Sequence, residues 1–304
     1  MNWVIGLMGS SVIELQVRAF RVLNLKSIFY ILYGSTLREV EILCIGNELL
    51  SGITLNTNAH WIGKKITKLG AKVRRVIVVA DDLEEIDIAL KDSLERKPDW
   101  IVTCGGLGPT YDDMTIQAVA RSLKRKLILD PIALQMVRNS YKRLGQNVRM
   151  SSARLKMAMI PQESKPIYNP VGNAPAVHIF TKKTQIVCLP GVPSEMKAIF
   201  THSILGNIKQ QIGQFAVEER NYHVEGVGEA TLSRTLIKLV RSFPRHALYL
   251  KTHPQGYKKN KIPVMKVQIV SKGKKKEYVQ EILEKVSNVI LSEVKKHGGR
   301  IKLE

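Results

Sequence analysis

Acidic residues are scarce in this chain. Over 304 residues, 26 Asp and Glu face 47 Lys and Arg, a formal net charge of +21 with a pI near 9.9. That balance points to anionic partners, a nucleotide, RNA or DNA, although net charge by itself governs encounter rates and solubility rather than fold. Cysteine is scarce too. The three residues, Cys44, Cys104 and Cys188, are odd in number and lie inside apolar runs, which excludes a disulfide framework and indicates a reducing compartment. Each precedes a glycine-containing turn and reads as a small hydrophobe at the end of a buried strand. No CxxC or His-rich spacing supports a zinc site. Long hydrophobic runs are missing: Met1 to Ile13 is apolar but too short to span a bilayer, and Glu14, Arg18 and Arg21 follow closely. It has neither the preceding positive charge nor the small-residue cleavage site of a signal peptide. A cytoplasmic protein with no membrane partner is expected. Residues 1–38 read as a weakly structured extension, or as a start codon placed too far upstream.

What is present is concentrated in one stretch, Gly105-Gly106-Leu107-Gly108-Pro109-Thr110-Tyr111-Asp112-Asp113-Met114-Thr115. It follows the apolar run Trp100–Cys104 and precedes a helical pattern from Ile116. A glycine turn between strand and helix presents backbone N–H groups to an anion at the positive end of the helix dipole. Two carboxylates in the same turn would repel a phosphate unless a cation lay between, so the motif reads as phosphate plus metal.

Around it the pattern alternates. Val40–Ile45 reads as a strand, Thr57–Leu69 as a helix closed by Gly70, Ala71–Val79 as a strand, Leu83–Leu94 as a helix and 100–104 as a strand. This alternation implies a three-layer α/β domain over 39–213, a mostly parallel sheet flanked by helices, with ligands outside the carboxyl ends of its strands. Three acidic turns fall at those ends: Glu48, Asp81-Asp82 and Asp112-Asp113. Further on come a helix from Ala133 to Leu144, a basic stretch from Arg149 to Lys156, a loop from Pro161 to Pro175, and a hairpin of Ala176–Phe180 and Gln185–Leu189 around Lys182-Lys183. Pro193 then opens a helix. A linker is expected near Gln210–Glu219. A small basic α/β domain over 214–304 follows: a strand near Tyr222–Val227, a helix Glu229–Val240, strands Ala247–Thr252 and Val264–Ser271, and a helix Lys276–Lys296.

Four motifs carry a family resemblance: Gly46-Asn47-Glu48-Leu49-Leu50-Ser51-Gly52 with Asn56-Thr57-Asn58, the Gly105–Thr115 motif, Gly172-Asn173-Ala174-Pro175, and Leu189-Pro190-Gly191-Val192-Pro193-Ser194-Glu195-Met196. They resemble the molybdopterin-binding fold and, within it, the amino-terminal domain of CinA-type proteins, over about residues 40 to 300. The resemblance implies a nucleotide-handling site. Relatives adenylylate molybdopterin or insert metal into it, and the CinA-type domain is associated with divalent-metal-dependent hydrolysis of ADP-ribose to AMP and ribose 5-phosphate. It also implies a homo-oligomer, a dimer first, and a KH-like second domain. Full-length bacterial CinA proteins carry a C-terminal deamidase domain, which is expected to be absent here. Ala176 departs from the family, where glycine is common after Ala-Pro.

The expected reaction is metal-assisted attack of water on a pyrophosphate, with Mg²⁺ or Mn²⁺ as cofactor; the alternative is a molybdopterin- or nucleotide-binding protein, or an adenylyltransferase relative, without hydrolase activity. Asp113 leads as metal ligand or base, followed by Asp112 and Asp81, with Glu48 as a further metal carboxylate. For Asp113 the competing reading is a helix N-cap, and either Asp81 or Asp82 could cap the helix near Leu83. Gly105, Gly106 and Gly108 would shape an anion nest, with Thr110 adding a hydroxyl. Ser51, Asn58, Asn173, Pro190 and Gly191 are expected to line the ligand pocket. Glu195 reads equally as first-turn dipole chemistry. Nucleic acid is an unlikely partner: the second domain has no GxxG clamp, and its lysines read as solvated surface.

Overall fold

The computed structural model describes residues 38–145, 148–212, 215–244 and 247–304; the expectation for residues 1–38 lies outside these, Arg38 apart. Strands β1 (Glu39–Ile45), β2 (Lys72–Val79), β3 (Trp100–Cys104), β6 (Ser164–Ile167), β7 (Ala176–Phe180) and β8 (Gln185–Leu189) form one six-stranded sheet in the order β2-β1-β3-β8-β7-β6. The first four neighbours in that order run parallel; β7 pairs antiparallel with β8, and β6 antiparallel with β7, so only β7 is reversed. Two-residue alternation sends successive side chains to opposite faces. Val40, Ile42, Cys44, Trp100, Val102 and Cys104 pack on one face with the helix Thr57–Lys68 and the helical run from Pro193 to Ile212. Leu43, Ile45, Ile101, Ile186 and Cys188 pack on the other with the helices Leu83–Glu95, Thr115–Ser122 and Pro131–Arg143. This is the three-layer arrangement expected from the alternating pattern.

Local chemistry sets the helix starts. Asn56 accepts from Ala59 N (3.0 Å), Asp82 from Glu84 N and Glu85 N (2.8 and 3.0 Å), and Asp130 from Ala133 N (2.8 Å), each satisfying an orphan donor of a first turn. The chain passes from β1 to β2 on one side and returns across β1 to β3. The strand order therefore reverses at β1/β3, and the carboxyl ends of these strands form the crevice where such sheets bind ligands.

The C-terminal part is a second sheet of β9 (Ala216–Glu225), β10 (Leu248–Lys258), β11 (Ile262–Gly273) and β12 (Arg300–Leu303), antiparallel in the order β10-β11-β9-β12. Helices Glu229–Ser242 and Lys276–Lys296 cover one face through Leu232, Leu239, Ile282, Leu283, Val286 and Ile290.

Several sequence-based expectations need correction. β9 begins at Ala216 rather than near Tyr222, because Val217 to Arg220 pair with β11 from Lys272 to Ile269. The helix ending at Ile212 and β9 beginning at Ala216 both fall inside the stretch 210–219 where a linker is expected. The loop Pro161–Pro175 contains β6, paired with β7. Leu127–Leu129 (β4) and Met159–Pro161 (β5) form a separate two-stranded ribbon, the basic stretch holds a short helix Ser152–Lys156, and β12 follows the last helix.

Candidate functional site

The Gly105 turn sits at the carboxyl end of β3, and its shape depends on missing side chains. Gly105 has φ +111°, and a Cβ there would strike the Ile45 carbonyl oxygen; Gly106 has φ +68°, and its Cβ would strike the Thr115 hydroxyl. Both positions therefore require glycine. Gly105 N donates to Leu189 O (3.0 Å), the Thr115 hydroxyl donates to Gly105 O (2.8 Å), and Thr115 N donates to Gly106 O (3.2 Å). These bonds lock the turn to β8 and to the following helix. The N–H groups of Gly106, Leu107 and Gly108 meet no acceptor among the described residues.

Asp113 lies against Gly108, where a Cβ would come within 2.5 Å of its carboxylate. It does not cap the next helix, whose N-cap position is Met114 with no side-chain bond. Instead its Oδ2 accepts from Thr110 N at 2.9 Å and lies 2.5 Å from Thr110 Oγ1, which is also 2.5 Å from Asp112 Oδ1. One hydroxyl proton is shared between two carboxylates. The Thr110 bond, the Asp112 backbone N–H and then the Lys156 charge hold Asp112 below the usual carboxylate range. Lys156 Nζ donates to Thr110 O at 2.5 Å.

The choice between Asp81 and Asp82 is resolved by geometry. Asp82 caps its helix, and Asp81 accepts from Asn47 N at 2.8 Å. Burial pushes the Asp81 carboxyl up, and so does repulsion from Glu48, Asp112 and Asp113, against the bond from Asn47. All three acidic turns thus share one electrostatic neighbourhood. Glu48 folds its carboxylate over Gly46, at 2.6 Å from where a Cβ would stand. Among the described residues no three His, Cys, Asp or Glu side chains converge as a preformed metal site requires.

Next to the turn opens a pocket of about 340 Å³. Its apolar wall comes from Leu107, Ile116, Leu127, Leu155, Met157, Met159, Pro175 and Val177. Its polar groups are Asp113, Lys156, Gln117 and Ser152, with the backbone of Gly106 and Gly108. The remaining residues singled out in the sequence fall elsewhere. Asn58 Nδ2 donates to Gly191 O (2.7 Å), while its buried Oδ1 has no partner. Gly191 packs on Gly105, and Pro190 O lies 3.9 Å from the Cys104 sulfur. Asn173 is tied to Ser140 at 3.0 Å and does not line the pocket. Ser51 is the exposed C-cap of the short helix Asn47–Leu50. Glu195 accepts from Asn169 Nδ2 (2.6 Å) over Gly172 and pins that loop.

Lys156, Gln117, Ser152 and the two methionines were not singled out in the sequence. Lys156 closes the basic stretch already noted there, but its approach to Thr110 spans 46 residues and depends on the tertiary fold. The cysteines behave as small hydrophobes. Cys44 and Cys104 are neighbours on one face of the sheet and Cys188 lies on the other, its thiol pushed up to about 12 by burial.

Residues 41–210 match the family model described as a probable molybdopterin binding domain. The chain belongs to that family. A Metallosphaera sedula protein is 39% identical over 265 residues, covering 87% of this chain and 97% of the relative. A Saccharolobus solfataricus protein is 36% identical over 262 residues, covering 86% and 94%. Among solved structures, the CinA protein of Thermoplasma acidophilum, described as of unknown function, is 41% identical with a TM-score of 0.51, over 57% of this chain and 98% of that one. The chain is thus a CinA-like member of the molybdopterin-binding family. No helix among the described residues is long and apolar enough to cross a membrane.

Proposed function

We propose that this protein binds a phosphorylated planar ring, a nucleotide or a pterin, with the ring in the apolar pocket and the phosphate over the Gly105–Gly108 turn. One observation carries the reading: a pocket of about 340 Å³ walled by Leu, Ile and Met opens directly onto free backbone N–H groups and Lys156. Its volume is at the lower end for small-molecule sites, enough for one ring system and its phosphate. Apolar walls favour ring burial, and methionine sulfur makes favourable contact with aromatic edges. The N–H groups and the ammonium of Lys156 supply the anion-binding end. Calorimetric titration with AMP, ADP-ribose and a reduced pterin phosphate tests this. Binding of at least one, weakened about tenfold or more by Leu155→Asp and by Lys156→Ala, is expected; no binding of any of the three refutes it.

A second reading, hydrolysis of a pyrophosphate such as ADP-ribose, is favoured by the carboxylates. Burial, and then the field of Glu48, Asp112 and Asp113, hold Asp81 above its ordinary value, which suits a proton acceptor poised beside a cation. Asp112 and Asp113, joined through Thr110, would hold a divalent ion together with phosphate oxygens, since Mg²⁺ commonly takes only one or two carboxylates plus substrate phosphates, with Glu48 left to the outer field. When bound, such an ion supplies charge neutralisation and lowers the pKa of a water. Thr110 fixes the orientation of Asp112 and Asp113, and Asp81 takes up the proton from water. Release of AMP from ADP-ribose in Mn²⁺, followed by chromatography, tests this reading. Equal release by wild type and Asp113→Ala, or none by either, would sink it.

A further inference from the structure

The C-terminal sheet has one face buried under its two helices and one left open. Strand register determines what stands on the open face. His253 pairs with Lys266, Lys266 with His223, and His223 with Lys302, so one residue from each of the four strands lies in a single row across the sheet. The alternating neighbours Val267, Val224 and Ile301 point into the core, which sends this row outward. Four strands at ordinary spacing make the row about 14 Å long. It contains no acid.

Cross-strand pairing in sheets that serve stability alone favours opposite charges, whereas here lysine and histidine alternate across the four strands. Some compensation exists: Glu304 meets Lys266 at 2.7 Å, and Glu225 meets His223 at 2.9 Å. Lys302 and, two residues from the row, Lys251 are exposed and have no ion-pair partner among the described residues. Tyr249 stands on the same face, opposite Val270, and is 51% exposed.

We propose that this open face binds single-stranded nucleic acid, with phosphates along the His253-Lys266-His223-Lys302 row and Lys251, and a base stacked on Tyr249. Such binding combines a cationic track with an aromatic platform and tolerates many sequences. The GxxG clamp absent from the sequence is not needed, because the sheet face rather than a loop holds the strand.

The test is fluorescence anisotropy of the full chain with labelled single-stranded RNA and DNA oligonucleotides, a duplex, and phosphatidylserine vesicles, from 50 to 300 mM salt. Wild type is expected to bind the single strands and to prefer them over the duplex and the vesicles. Lys251→Gln with Lys302→Gln should flatten the slope of log affinity against log salt by about 1.4, near 0.7 for each lost phosphate contact. Tyr249→Ala should weaken binding about tenfold without changing that slope. Lys274→Gln, Lys275→Gln and Lys276→Gln together remove three exposed charges outside the face and should leave affinity within about twofold. Circular dichroism matching wild type confirms that each variant is folded. The proposal is overturned by no binding, by preference for vesicles or duplex, or by an equal loss in the 274–276 variant, which would reduce the effect to net charge.

Discussion

Two sets of carboxylates stand on the six-stranded sheet and its helices, and the fold treats them in opposite ways. Glu41, on β1, is 1% exposed and takes Nε and Nη2 of Arg96 at 2.9 and 2.7 Å. Asp87, buried on the helix Leu83–Glu95, meets Lys91 at 2.7 Å, Arg121 at 3.1 Å and the Ser122 hydroxyl at 2.5 Å. Burial works against both charges, yet the bonded cations and hydroxyls outweigh it and hold both groups below the usual carboxylate range. At the carboxyl edge of the same sheet, Glu48, Asp81, Asp112 and Asp113 lie in one another's field, and Lys156, whose charge acts on Asp112, bonds a carbonyl. There Asp81 is pushed up instead. The first set is complete within the fold. Among the described residues the second is compensated only in part, at Asp112 by Thr110 and Lys156 and not at Asp81, which is the expected condition of a site whose ligand or cation supplies the rest.

The largest effect should come from breaking the completed set. Arg96→Ala leaves Glu41 buried and unpaired, so urea unfolding should show a loss of about 3–5 kcal/mol. A loss below about 1 kcal/mol would mean that the pair is incidental and would remove the contrast. Asp113→Asn tests the incomplete set: AMP release from ADP-ribose should fall about 100-fold or more while stability stays within about 1 kcal/mol. A stability loss as large as that of Arg96→Ala would mark Asp113 as structural.

The pH dependence separates the sets by sign. Glu41 and Asp87 have folded-state values depressed below 4.5 and 3.8, so their contribution is present above those values and lost as pH falls through the depressed ones. Asp81 has a folded-state value raised above 3.8, so its charge weakens the fold above that raised value, and the cost is relieved as pH falls toward 3.8. Asp81→Asn should therefore raise the melting temperature slightly at pH 7, by an amount that vanishes below pH 3.8, while lowering turnover. A melting temperature lowered at pH 7 would show that the bond from Asn47 outweighs the repulsion.

The edge half of this contrast was legible in the sequence, whereas the buried pairs of Glu41 and Asp87 were not, since their partners meet them only through the fold. Buried parallel strands announce themselves as apolar runs, and the turns at their ends carried the glycines and acids together. What was missed has a common cause. β4, β6 and β12 are short and half-exposed or polar, and β5 is buried but only three residues long, so they are strands by virtue of backbone pairing with partners that burial periodicity does not reveal. The start of β9 reads as a linker because Glu218, Glu219 and Arg220 are charged, whereas one face of that strand is open. Lys156 belongs to the site through a tertiary approach alone. The distinction between Asp81 and Asp82 rests on which carboxylate turns toward Asn47 and which toward its own helix, a matter of backbone direction that two adjacent identical residues do not disclose.

The central claim, that the carboxyl edge is completed by a phosphorylated ligand with its cation, meets its most direct test in calorimetric titration of ADP-ribose with and without Mn²⁺. Wild type should bind about tenfold more tightly with Mn²⁺ than without, and Asp112→Asn with Asp113→Asn should abolish that difference while retaining the metal-independent part. Affinity unchanged by Mn²⁺ in wild type, or no binding under either condition, would contradict the account.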